Sequence, residues 1–216
     1  MTESASGIIL RTRPLTETSL IVHWLTPELG RVATVAKGAR RPKSPFAGKL
    51  DLFYSADFSF GRSRRSELHT LREVNLRGTR PAIREDIERL QQAAYAAAFI
   101  EQATETETPL PEIYHLLQDF LRWLCESPPE PRNIFALELK LLRELGMEPD
   151  LGETSLTAGT QKIISGLLEA GWAESARLKL SAAQVAEIRQ WLHGFLIFHL
   201  GRLPRGRAAA VEAGAT

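Results

Sequence analysis

The chain has 216 residues, of which 44% are hydrophobic and 25% charged, an ordinary globular composition with room for one or two domains. Its single cysteine, Cys125, excludes an intrachain disulfide and a cysteine metal cluster and fits a reducing cytoplasm. No run of about 18 apolar residues is present, and "MTESASG" lacks the basic and hydrophobic regions of a signal peptide, so neither a membrane span nor export is expected.

The formal charge of +1 hides an asymmetry. Residues 1–80 hold fourteen Lys and Arg against seven Asp and Glu, whereas the remaining 136 hold thirteen against nineteen. A basic segment joined to an acidic one suggests that the first meets a polyanion and the second meets something else.

In chain order, residues 8–13 alternate, with Ile8, Leu10 and Thr12 on one face and Arg11 and Arg13 on the other. "SLIVHWLT" (19–26) and "RVATVAK" (31–37) are β-branched runs separated by Pro27 and Gly30, a hairpin pattern. Residues 50–60 alternate again, with Leu50, Leu52, Tyr54, Ala56, Phe58 and Phe60 as the expected core face. "ELHTLREVNL" (67–76) follows a Gly and Ser turn. Five short antiparallel strands leave exposed edges unless they close, and at this size the closed solution is a barrel of the oligonucleotide-binding (OB) type, with an open SH3-like barrel as the alternative.

After Pro81 the period becomes helical. "PEIYHLLQDFLRWLCE" puts Ile113, Leu116, Leu117, Phe120, Leu121 and Leu124 on one stripe, with Pro111 in the first turn. Further helices are expected over about 83–103, 131–145, 160–170 and 181–200. Ser181 and Gln184 form a capping box and Gly201 a stop for the last of these. The fold class is therefore α+β, a barrel domain over 1–80 and a helical domain over 81–216.

No catalytic constellation is evident. The carboxylates Glu85, Asp86 and Glu88, and again Glu101, Glu105 and Glu107, read as a charged helical turn and a solvated loop. His23, His69, His115, His193 and His199 are scattered without ligand spacing, and no P-loop, GxGxxG or GxSxG motif is present. The expectation is a non-enzyme without metal or cofactor.

Binding chemistry is better represented. Residues 32–50 carry Lys37, Arg40, Arg41, Lys43 and Lys49 with no carboxylate, and Gly38, Pro42, Pro45 and Gly48 make this stretch a loop. Arg62, Arg64 and Arg65 form a second cluster before the last strand, and Arg11 and Arg13 share a strand face. Basic loops beside a barrel face make an electrostatic groove for a phosphate backbone. Phe53, the one aromatic on the polar face of 50–60, is the candidate stacking platform, with cover by the helical half as the competing reading.

The order "GIILRTRPLTETSLIVHWLTPELGRVATVAKGARRPKS", followed by "FAGKLDLFYSADFSF", "REDIERLQQAAYAAAFIEQ", "FALELKLLRELGMEPDL" and "FHLGRLPRGR", resembles the bacterial recombination mediator family RecO over nearly the whole chain. The resemblance implies an OB-fold followed by helices, binding of single- and double-stranded DNA, and annealing of complementary strands. It also implies help in loading the recombinase RecA onto strands coated by single-strand binding protein, and hence association with the nucleoid. The partners it implies are RecR, in some bacteria RecF, and the acidic C-terminal tail of single-strand binding protein. Many members carry a four-cysteine zinc ribbon just after the segment matching "LGMEPDL". This chain continues "GETSLTAGTQ", without thiolates, so the ribbon is absent and helix packing through Ile163, Ile164, Leu167, Leu168 and Trp172 is expected to substitute.

That acidic tail ends in a hydrophobic residue and a carboxylate, so it needs an apolar pocket beside a cation. Arg122, Lys140, Arg143, Arg202, Arg205 and Arg207 are the candidates. An RNA-binding barrel module or RNA chaperone is the competing function, and an adaptor whose basic loops serve only solubility is a third.

Overall fold

The structure, a computed structural model, describes residues 2–152 and 154–214. Five strands, β1 (Thr2–Pro14), β2 (Leu20–Thr26), β3 (Gly30–Ala36), β4 (Ser55–Gly61) and β5 (Leu68–Gly78), close into a barrel of order β1-β2-β3-β5-β4. The long β1 closes it. Its first half pairs with β4 from Thr2↔Gly61 to Ile8↔Ser55, and its second half pairs with β2 up to Pro14↔Leu20. β3 and β5 run parallel through Ala33↔Leu68 and Val35↔Thr70. Closure leaves none of these strands with an unpaired edge, which is the physical reason five short strands are stable together.

The phase of β1 departs from simple alternation. Ile9 pairs with Trp24 and Arg11 with His23, so Leu10 is an extra residue in a bulge. Ile9 is therefore the residue that joins Trp24, Val22 and Val32 in the barrel core. Ile8 and Leu10 are buried as well, but outside that cluster. The expected unbroken alternation, with Ile8, Leu10 and Thr12 on one face, is thus corrected. The bulge resets the phase, and Arg11 and Arg13, opposite His23 and Ile21, still point away from the core.

Within the barrel Trp24 stacks on Phe58 with ring centroids 4.1 Å apart, and its indole N–H donates to Thr34 Oγ1 at 2.9 Å. Phe60 stacks on the His69 ring at 5.2 Å. β4 begins at Ser55, later than expected. Ala56, Phe58 and Phe60 are core as anticipated, while Leu50 and Tyr54 pack against the core from the preceding loop. Gly30 has φ +65°, and a Cβ there would fall 1.7 Å from the Thr108 carbonyl oxygen, so only glycine lets residues 104–108 run beside β3.

Eight helices follow among the described residues: α1 (Pro81–Arg84), α2 (Ile87–Ala103), α3 (Pro111–Glu126), α4 (Pro131–Glu144), α5 (Ala158–Glu169), α6 (Trp172–Ser175), α7 (Ala182–Leu200) and α8 (Arg207–Glu212). The five long ones match the expected spans within a few residues. α6 and α8 are too short for a periodic signal. By contacts the chain divides into Met1–Pro81 with Thr104–Gln118, and Ala82–Ala103 with Asp119–Thr216.

In the second of these units α4 is the centre, with ten of its fourteen residues buried. The alanine-rich face of α2 lets α8 approach closely enough for Gln92 Nε2 to donate to the Ala210 carbonyl at 3.1 Å. Three buried polar side chains form one network: Tyr95 Oη donates to Glu138 Oε1 at 2.5 Å, and Arg207 donates from Nε and Nη2 to the two Glu138 oxygens at 2.6 and 2.9 Å. Burial, and then the Glu138 charge, hold the Tyr95 phenol well above its usual pKa. In the region without a zinc ribbon, Ile164, Leu167 and Leu168 are buried, whereas Ile163 and Trp172 are only partly covered. Trp172 packs on Phe120 at 5.1 Å.

Candidate nucleic-acid interface

Strand geometry fixes where the first two cations point. Val22 and Trp24 face the core, so their neighbours Ile21 and His23 face outward, and the residues paired with these are Arg13 and Arg11. The two arginines are exposed or partly so along that face. His23, half-buried between them, registers the field: burial first, then the charges of Arg11, Arg13 and Arg31, push its pKa down to about 4. Arg11, Arg13 and Arg31 thus gather positive charge around His23, while Ile21 and Leu25 on the same face are buried.

Residues 37–49 are ordered by consecutive turns, with Ala39, Arg41, Ser44, Ala47 and Lys49 each donating a backbone N–H to a carbonyl three residues back. Phe46 anchors the segment by inserting into the barrel core at 6% exposure. The backbone N–H of Arg40 donates to the Thr18 carbonyl at 3.0 Å, which ties this segment to the β1–β2 loop. The expected irregular basic loop is therefore a plug over the barrel end where β1 stops and β2 starts. Phe46 goes inward, and Lys37, Arg40, Arg41 and Lys43 stay at the surface, with Lys49 there too. Arg13, one residue from the end of β1, stands at that same end. Beneath the plug lies a cavity of about 200 Å³ bounded by Leu20, Phe46, Leu50 and Tyr54.

The cluster around the β4–β5 turn separates into two kinds. Arg64 and Arg65 are exposed. Arg62 is held by Glu3 at 2.7 Å and Glu107 at 2.9 Å, and its guanidinium lies over the Phe60 ring at 5.9 Å. His69 Nε2 lies 2.6 Å from Glu107 Oε1, and its Nδ1 accepts the Ser63 N–H at 3.2 Å, so Ser63 and Glu107 hold the two sides of the ring. Arg62 is neutralised by two carboxylates and fastens residues 104–108 to the barrel, so it is removed from the phosphate-binding set.

Phe53 requires a correction as well. It precedes β4, takes φ +64° and is 1% exposed, so its ring is core and offers no stacking face. No sequence signal marks this position, because a phenylalanine with positive φ is imposed by the fold and not by its own preference. Tyr54, partly exposed at the cavity, is the aromatic that the structure places near the basic plug.

Of the cations considered for an acidic tail, Arg207 is 5% exposed and consumed by Glu138. Lys140 is buried, with Nζ donating to the Leu168 and Ala170 carbonyls at 2.8 and 2.7 Å, and burial, then Arg143, lowers its pKa. Both bind the protein's own groups, so neither can receive a ligand. Arg143 donates to the Leu168 carbonyl at 3.2 Å and Arg122 pairs with Asp119 at 3.2 Å, both with exposed side chains. Arg202 and Arg205 are exposed. Arg205 borders an apolar pocket of about 300 Å³, walled by Ala94, Tyr95, Ala98 and Ala209.

A closed five-stranded barrel in this strand order, with a long first strand shared between two partners, defines an OB-type module, here followed by a helical unit. The family model described as "Recombination protein O N terminal" matches residues 1–80, and "Recombination protein O C terminal" matches 84–162. The chain is 30% identical to DNA repair protein RecO of Anaeromyxobacter dehalogenans (strain 2CP-C), over 97% of this chain and 96% of that one. It is 31% identical to DNA repair protein RecO of Bacillus subtilis (strain 168), over 70% of this chain and 58% of that protein. The chain belongs to the RecO family, and its role lies in DNA repair and recombination. None of the described helices is long and apolar enough to cross a membrane.

Proposed function

We propose that this chain is a non-enzymatic recombination mediator. It binds single- and double-stranded DNA on the outer face of β1 and β2 and across the plug, anneals complementary strands, and assists loading of recombinase onto strands coated by single-strand binding protein. The observation that carries the reading is the gathering of Arg13, Lys37, Arg40, Arg41 and Lys43 at one barrel end, all at the surface, with Arg11 farther along the same outward face. Cations held on a rigid barrel and a plugged loop neutralise phosphates without a folding transition, and they offset the repulsion between two polyanions that annealing must overcome. Arg64 and Arg65, exposed on the β4–β5 turn at the other end of the barrel, form a separate pair of cations.

The acidic tail of single-strand binding protein is assigned to the pocket beside Arg205, where an apolar end residue enters between α2 and α8 and the terminal carboxylate meets the guanidinium. RecR, and RecF where it occurs, complete the assembly.

The test is annealing of complementary strands coated with the cognate single-strand binding protein, with the Arg205→Glu variant beside the wild type. The expected result is rapid annealing by the wild type, and by the variant on bare strands, with loss by the variant on coated strands only. Failure of the wild type on bare and coated strands alike would refute the mediator reading. Equal activity of both proteins on coated strands would move the tail site elsewhere.

A further inference from the structure

Helix α7 buries only part of its apolar surface. Ile188, Leu192 and Leu196 form the stripe that enters the helical unit. A neighbouring stripe, Trp191, Gly194, Phe195 and Phe198, recurs at i, i+3, i+4 and i+7 and stays in contact with solvent. Phe198 is 82% exposed and Ile197 41%, while Trp191 and Phe195 are half-buried with their rings 5.4 Å apart. Residues 190–201 contain no Lys, Arg, Asp or Glu. A continuous uncharged face with aromatic rings in water marks an interaction surface.

The i, i+3, i+4, i+7 spacing is symmetric in any helix, so it is the residue types at mirrored positions that point to the occupant. Reflected about the point between Gly194 and Phe195, Trp191 maps onto Phe198, Gly194 onto Phe195, and Glu187 onto Arg202. We propose that the partner is a second copy of this chain, packed antiparallel through α7 about a two-fold axis at that point. The ring of Phe195 lies over Gly194 of the second copy, Trp191 meets Phe198, and Glu187 meets Arg202, each contact occurring twice. An isologous interface requires such self-complementarity.

Two local features agree with this pairing. Apart from its two chain neighbours and the helix's own backbone, nothing lies within 4 Å of where a Gly194 Cβ would be, so the middle of the stripe is an open notch, at a helical position where glycine is intrinsically unfavourable. At one end Glu187 is fixed as an anion, with hydrogen bonds from Thr160 and Thr157 lowering its pKa. At the other end Arg202 is exposed just past the Gly201 cap, so the two ends carry opposite charge. An antiparallel pair satisfies both ends and a parallel pair satisfies neither.

Sedimentation of the full chain over a concentration series tests the proposal. The wild type is expected to show a reversible monomer–dimer equilibrium, and Phe198→Glu to be monomeric with an unchanged circular dichroism spectrum. Glu187→Arg and Arg202→Glu, each alone, place like charges together and weaken association about tenfold or more. Mixing these two variants restores it, because in the heterodimer both ends of the α7 pair again bring opposite charges together. A wild type that stays monomeric throughout, association insensitive to Phe198→Glu, or a mixture that fails to recover would each overturn the proposal.

Discussion

Removing two cations from the barrel plug separates binding from stability. In the Arg40→Ala, Arg41→Ala double variant, Arg40 gives up a long 3.4 Å bond from Nη1 to the Thr16 carbonyl, and both residues are exposed. The backbone bonds of both residues, to Thr18 and Gly38, survive the change. Stability should therefore move by about 0.5 kcal/mol or less per site. Binding should respond far more. If each arginine neutralises one phosphate, two are lost, and the slope of log affinity against log salt falls by about 1.8 on duplex DNA and about 1.4 on single strands. The loss should be the same for unrelated sequences, because phosphate contacts position a strand without reading bases. Fluorescence anisotropy across a salt series, on two sequences in single- and double-stranded form, measures this directly, with thermal denaturation as the control. An unaltered slope with normal stability would take the plug out of the DNA site. A sequence-dependent loss would mean that these arginines read bases.

Two further predictions rest on buried or half-buried groups. Arg207→Ala leaves the Glu138 carboxylate buried with only the Tyr95 hydroxyl, and should destabilise the helical unit by roughly 3–5 kcal/mol in chemical denaturation; a change near zero would show that water reaches Glu138 once the arginine is gone. His23, whose folded pKa lies near 4 against 6.5 for the free side chain, should make stability fall as the pH drops from about 6.5 to about 4, since only the unfolded chain takes up the proton in that window; His23→Gln should flatten this dependence, and DNA bound among Arg11 and Arg13 should raise the histidine's pKa in an NMR titration.

Local rules determined much of this molecule. Period-2 runs with glycine and proline punctuation placed five strands, and the need to cover their edges pointed to a closed barrel. Period-3.6 stripes, Pro111 and the Ser181–Gln184 capping box placed the long helices, because capping and amphipathicity are properties of neighbours in sequence. The excess of cations in residues 1–80 needed only counting. What each cation does was decided by tertiary structure. Arg62 and Arg207 look like any other arginine in the sequence, and only the fold brings Glu3 and Glu107 to the first and Glu138 to the second, across separations of 59, 45 and 69 residues. Phe46 became core, and the basic loop a plug, because a barrel end must be sealed by whatever apolar side chain the crossing segment carries, whereas Phe53 is buried outside that barrel cluster. The bulge at Leu10 turned Ile9 inward because two strand pairings, to β4 and to β2, have to be met by one continuous strand. A sequence states which residues prefer which local geometry, whereas charge neutralisation and burial depend on partners distant along the chain, and those exist only once the barrel has closed and the helices have packed.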